Sequence, residues 1–212
     1  MNIFYYIFLM LIIIFLLFLG KCNLEVSPKK VKRYIFVVVT LCILRYISLL
    51  LLCVVQSGRS IYYFKSLIYS NTVIIPLLSI ALIYINLRLQ KFKFNMNYLI
   101  GIGILISYII IIINMPSRIL FDLRYGYIIC LDNIIILQMI NLTYFSILLV
   151  IILLLLGRKN SSREGMLLLI MALIVTIIEQ ILNIGGISLF PYPIIGEMLF
   201  FIISYKTIKK FK

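Results

Sequence analysis

An all-α bundle crossing a membrane about seven times is the fold this sequence predicts, and three observations carry the prediction. Of its 212 residues, 65% are hydrophobic and only 12% are charged, where a soluble domain carries about 25% charged residues. The apolar residues come in runs long enough to cross a bilayer, which takes about 20 residues per helix. Between the runs, basic segments alternate with aromatic ones.

The first run, 3–20, begins at Ile3 with no basic stretch before it and no small-residue cleavage signal after it, so it reads as a retained span. The next are 34–56, 71–89 and 97–114. Pro76 in the third reads as a kink, and Gly103 with Ser107 in the fourth has the small-xxx-small spacing of a close helix contact. Spans 134–157, 166–184 and 193–208 complete a single domain, the last with the shortest apolar core. No stretch remains for a soluble catalytic domain, so function is expected within the bilayer or at its edges.

The net charge of +14 is explained by its distribution rather than by nucleic acid. Segments 21–33, 88–95, 158–165 and 206–212 hold fifteen Lys and Arg, while 57–70, 115–133 and 185–192 hold four, Arg59, Lys65, Arg118 and Arg124. The positive-inside rule then places the N-terminus outside and the C-terminus inside a cell membrane. The outer segments "SGRSIYYFKSLIYS", "MPSRILFDLRYGYI" and "GGISLFPYP" are rich in Tyr and Phe, consistent with interfacial aromatics or with a lid over an outward cavity. The four cysteines show no CxxC spacing and read as small apolar residues. The residue bias, with alanine only at Ala81 and Ala172, suggests an AT-rich bacterial genome.

Arg45 stands in the middle of "LCILRYISLLLL". A charge at the centre of a membrane helix costs about 2.5–3.5 kcal/mol on insertion scales, so it needs a partner. The candidate is Glu179 in "TIIEQILNI". Counted from the same side, Arg45 lies roughly 17 Å and Glu179 roughly 20 Å into a core about 30 Å thick, so an Arg45–Glu179 ion pair is expected. Ala172, Thr176, Glu179 and Asn183 share one helix face with Gln180 at its edge, a face unsuited to lipid.

Span five adds Asp132 and Asn133 at its outer mouth and Gln138 and Asn141 further in, and span seven adds Glu197 a turn beyond "PYP". Arg45, Glu179, Gln180, Asn183, Gln138, Asn141, Asp132, Tyr192 and Glu197 therefore outline an outward-facing polar cavity between spans two, five, six and seven. Such a cavity is the default ligand site. The acids near its mouth favour a cationic or hydroxylated ligand arriving from outside or from the bilayer.

Histidine is absent, which removes His-based acid–base catalysis, phosphohistidine relays and His metal ligation. No phosphate-binding loop or nucleophile elbow is present. The expectation is a protein that is not an enzyme and has no cofactor and no metal.

Two segments carry a family resemblance. "IINMPSRILFDLRYGYI", with Asn114, Tyr125 and Gly126, and "SREGMLLLIMALIVTIIEQILNIGGISLFPYPIIGEMLFFIISYKTIKKF" resemble the outer loop after span four and the last two spans of the N-terminal seven-helix sensing region found ahead of bacterial histidine kinases. That family continues into a coiled linker and a catalytic domain, whereas these residues end at Lys212. The resemblance implies a sensor without its output domain, signalling through a protein partner at its basic inner face.

The sequence reading is thus a non-enzymatic, receptor-like or regulatory membrane subunit whose partners are membrane lipid, a cytoplasmic protein and a small ligand, with no nucleic acid. The alternatives are a substrate-binding subunit of a transporter or small carrier, and an assembly or immunity protein that acts by packing alone.

Overall fold

The structure is a computed structural model describing residues 3–54, 61–87, 94–158, 161–187 and 189–211. The sequence-predicted span ends at 55–56 and 88–89 lie outside the described residues, as do Arg59, Arg88, Lys91, Lys93, Lys159 and Lys212.

The described chain is mostly helical. Helices α1 (Ile3–Val26) and α2 (Lys29–Val54) are followed by a 3₁₀ turn (Tyr62–Phe64) and the short α3 (Lys65–Ile68). Then come α4 (Asn71–Leu87) and α5 (Asn95–Asn114), a hairpin of β1 (Ser117–Asp122) and β2 (Gly126–Leu131), and α6 (Ile134–Leu155), α7 (Arg163–Ile184) and α8 (Ile195–Lys209). Among the described residues, six segments are long and apolar enough to cross a membrane: α1, α2, Tyr62–Leu87, α5, α6 and α7. The seventh, α8, has only 15 residues.

Successive long helices run in alternating directions, which gives the bundle a hairpin end and a basic end. At the basic end α1 runs on to Val26 before Ser27 and Pro28 turn the chain, so the expected loop from 21 is mostly helix. Pro28 lacks the N–H that would continue α1. Buried Asn23 then binds the next helix, donating from Nδ2 to the carbonyl of Lys32 at 2.9 Å.

Helix α1 buries Leu9, Ile12, Leu16 and Leu19 at three- and four-residue spacing while exposing Ile7, Met10, Ile14 and Phe18. A helix apolar on its exposed face as well is suited to lipid on that face. The centre belongs to α4, which touches α2, α5, α6, α7 and α8. The Tyr62–Leu87 segment is 78% buried over its most apolar stretch, against 22% for α5 and for α6. This explains why its polar residues Asn71, Thr72, Ser79 and Asn86 are tolerated: all four are buried. Thr72 and Ser79 donate to carbonyls within the chain turn before them.

Pro76 lies inside α4. Gly103 is exposed, with open space where a Cβ would go, so the expected close contact is not there. Gly101 makes it instead, where a side chain would meet Leu77 and the Tyr34 ring.

The hairpin is the one element type absent from the sequence reading. Its antiparallel register runs from Ser117 opposite Leu131 to Asp122 opposite Gly126. The turn is made by Gly126 at φ 73° and by Asp122 Oδ1, which accepts the Arg124 N–H at 2.6 Å. Two strands alone are marginal; side chains fasten these to the bundle. Tyr69 donates to the carbonyl of Ile129 at 2.6 Å and Tyr6 to the carbonyl of Tyr125 at 2.8 Å.

Candidate functional site

Arg45 is 1% exposed and pairs with Glu197 rather than with Glu179. Its Nη1 donates to Glu197 Oε2, its Nε to the carbonyl of Ile68 at 2.8 Å, and its Nη2 reaches the carbonyl of Pro193 at 3.5 Å. The Tyr46 hydroxyl donates to the same Glu197 oxygen at 2.7 Å, and the Tyr46 ring centroid lies 5.3 Å from the guanidinium carbon. The buried cation therefore has an opposite charge, two carbonyls and an aromatic ring around it.

Glu179 does something else. Its Oε1 accepts the N–H groups of Ile194 at 2.9 Å and Ile195 at 3.1 Å, and its Oε2 that of Gly196 at 2.8 Å. The first N–H groups of a helix have no partner within it, and Ile194 offers α8 no side-chain cap. A carboxylate from α7 takes that role and also meets the positive end of the helix dipole.

The physical reason for the altered pairing is where α8 starts. Glu179 lies five residues short of the end of α7, which at about 1.5 Å per residue is roughly 7 Å inside the bundle. Residues 190–194 lie between the helices before α8 begins, with Tyr192 and Ile194 buried. Non-helical backbone is tolerated at such depth only where protein surrounds it or a cavity lies beside it. Glu197, in the first turn of α8, thus arrives at the level of Arg45, while Glu179 is occupied by backbone donors. Gly196 permits the approach: a side chain there would run into Thr176 of α7.

Five of the nine sequence-predicted residues meet elsewhere. Gln138, Asn141, Gln180, Asn183 and Tyr192 line a cavity of about 300 Å³ at the hairpin end. Each amide pair is three residues apart and so shares a helix face, Gln138 with Asn141 on α6 and Gln180 with Asn183 on α7. The wall is continued by Pro191 and Pro193 beside Tyr192, together with Tyr69 and Asn71 where α4 begins. The start of α4 thus takes the place expected for span two. Tyr69 and Asn71 were missed because polar residues at the head of an apolar run read as a boundary.

No charged side chain lines this cavity. Arg45 and Glu197 are buried away from its lining, and Asp132 is exposed, with Oδ1 accepting from Arg118 Nε at 2.8 Å. The expected acidic mouth, and with it the preference for a cation, is therefore corrected. The Tyr192 hydroxyl adds no charge, since a phenol is neutral at physiological pH. It accepts the N–H of Ile129 at 2.9 Å, which ties the hairpin to the cavity wall.

Asn141 is 3% exposed, and its Oδ1 has no hydrogen-bond partner. A buried acceptor without a donor costs about 1–3 kcal/mol, so the site has an unmet demand for a donor. No protein-family model, curated protein or solved structure matches the chain. The site must be interpreted from its own chemistry: neutral amides, two tyrosines and one free acceptor favour uncharged, hydrogen-bonding molecules. Among the described residues no group of three or more Cys, Asp or Glu comes together to hold a metal ion.

Proposed function

We propose that this protein is a non-enzymatic, receptor-like membrane subunit, N-terminus outside, that binds a small neutral ligand bearing hydroxyl or amide groups in the Gln138–Asn183 cavity. The observation that carries the reading is the unpartnered Asn141 Oδ1 inside an amide-lined cavity. A volume of about 300 Å³ lies at the small end of the range for ligand pockets, which suits a small polyol or amide better than a drug-sized molecule.

The cavity wall contains the stretch that leads into α8, so ligand bound there has a route to the basic end, where the tail around "SYKTIKKFK" faces a cytoplasmic protein partner. Such coupling requires that the ligand prefer one packing of α7 on α8 over another. The resemblance to kinase sensing regions supports this direction of signalling. The carrier alternative draws support from the helix that starts inside the bundle, a feature of transporter sites. Glu179 and Glu197 already occupy that helix start, however, which leaves it unavailable to an anionic substrate.

The test uses the four native cysteines replaced by serine or alanine, with Asn183→Cys or Lys206→Cys added singly. In intact cells a membrane-impermeant thiol reagent should label the first and leave the second untouched until the membrane is opened. Purified protein in nanodiscs should then gain thermal stability with members of a panel of neutral polyols and small amides, and Asn141→Leu should abolish the gain. Labelling of Asn183→Cys only from inside, or no stabilisation by any member of the panel, overturns the reading.

A further inference from the structure

A second cavity lies on the side of the bundle, and nothing in the function proposed above uses it. It is a groove of about 640 Å³ between α4, α5 and α6. Its walls are apolar, with Pro76, Ile80 and Ile83 at its floor, and its rim residues Ile100 and Ile147 are 43% and 57% exposed. The groove thus opens sideways, where a bundle in a bilayer meets lipid.

Three features converge at its basic end. Arg158, just past the end of α6, lines it and is exposed. Asn97 lines it from the first turn of α5, is 7% exposed, and has an Nδ2 with no hydrogen-bond partner. Helix α5 itself begins at Asn95 with no side-chain cap, so its first turn presents the positive end of a 20-residue helix. A cation, an unpartnered donor and a helix N-terminus at one point ask for an anion with several oxygen acceptors.

Away from that point the groove carries little polarity. Along α6 it extends from Arg158 to Tyr144, which at about 1.5 Å per residue is roughly 20 Å, more than half of a hydrocarbon core about 30 Å thick. An anionic head joined to an apolar tail of one leaflet's length is a phospholipid.

We propose that this groove binds one anionic phospholipid of the leaflet at the basic end, its phosphate held by Arg158 and Asn97 at the start of α5 and an acyl chain laid against α4. The inference rests on the chain being embedded in a membrane, though not on the ligand proposed for the amide cavity. Its occupant is the lipid; a transmembrane helix from another protein is the competing outcome.

The full chain is purified in mild detergent, equilibrated with mixed micelles of phosphatidylglycerol and phosphatidylcholine, and weighed by native mass spectrometry. One retained phosphatidylglycerol in preference to phosphatidylcholine is expected. Arg158→Gln and Asn97→Leu should each lower that preference several-fold, and Ile147→Trp, which fills the groove, should abolish retention of either lipid. Equal retention of both lipids, or preference unchanged in Arg158→Gln and Asn97→Leu, overturns the proposal. So does a protein that crosslinks to a photoreactive residue at Ile147 in cells while no lipid is retained. Membrane embedding is scored separately by resistance to alkaline carbonate extraction, so its failure cannot be mistaken for failure of the lipid site.

Discussion

The clasp at Arg45 and the amide cavity share the α7–α8 joint, yet they treat polarity in opposite ways. Around Arg45 the charges face one another within the protein, guanidinium on carboxylate, hydroxyl on carboxylate, and a second carboxylate on three helix N–H groups, with Glu197 Oε1 the one atom of that cluster left without a partner. In the cavity the polar groups are neutral, and one of them, Asn141 Oδ1, is left without a donor. The lesson is that the most conspicuous residues in an apolar sequence hold the fold together, and the inconspicuous amides are the ones available to something else.

The largest effect should come from breaking the clasp. Removing one member of a buried ion pair costs about 3–5 kcal/mol because the other stays buried and uncompensated. Glu197→Gln is therefore expected to destabilise the protein by about that much in denaturant titrations, and Arg45→Leu with Glu197→Leu together should recover much of the loss. If the double variant instead loses the sum of the two single losses, the pair is not a pair, and the contrast with the cavity fails.

Next in size is the contact that lets α8 begin inside the bundle. Gly196→Ala places a methyl group against Thr176, an overpacking expected to cost about 1–3 kcal/mol. Thr176→Ser, made on top, should restore part of it by removing the methyl that it strikes. Unchanged thermal stability in Gly196→Ala would mean that the two helices are further apart than described.

That internal start is also where the sequence ceased to be legible. Helix positions followed from apolar runs and polar punctuation because lipid-length helices are nearly the only way to satisfy backbone groups in an apolar medium. The need for a partner to Arg45 was equally legible, as a matter of charge. Which acid serves was not, because counting depth along straight helices assumes that every span begins at the surface. Residues 190–194 break that assumption by lying inward, with Tyr192 and Ile194 buried, and they bring Glu197 to Arg45. The hairpin escaped for another reason: its strands have six residues each, and neither SRILFD, polar at both ends, nor the apolar GYIICL alternates apolar with polar. The amide pairs on α6 and α7 could be read, since a three-residue spacing fixes a shared helix face whatever the surroundings.

A smaller effect distinguishes the two glutamates. Glu179 acts as a cap, and caps are worth about 0.5–2 kcal/mol. Glu179→Gln keeps one acceptor oxygen for the N–H groups of α8 and loses the charge at the helix start. Its cost in the same titration should therefore fall below that of Glu197→Gln. Equal or reversed costs would restore Glu179 as the partner of the buried cation and undo the division between clasp and cap.

The smallest effect is the most informative about the cavity. Asn141→Leu removes an acceptor that nothing in the protein satisfies, and its side chain is close in volume. Truncations in a packed core are destabilising, but deleting an unsatisfied polar atom relieves a standing cost. The ligand-free variant should therefore be as stable as the parent or gain about 1 kcal/mol. A loss of 2 kcal/mol or more would mean that the Asn141 amide holds α6 to its neighbours, as Arg45 holds α2 to α8. The cavity would then belong to the scaffold, and the difference between the two regions would disappear.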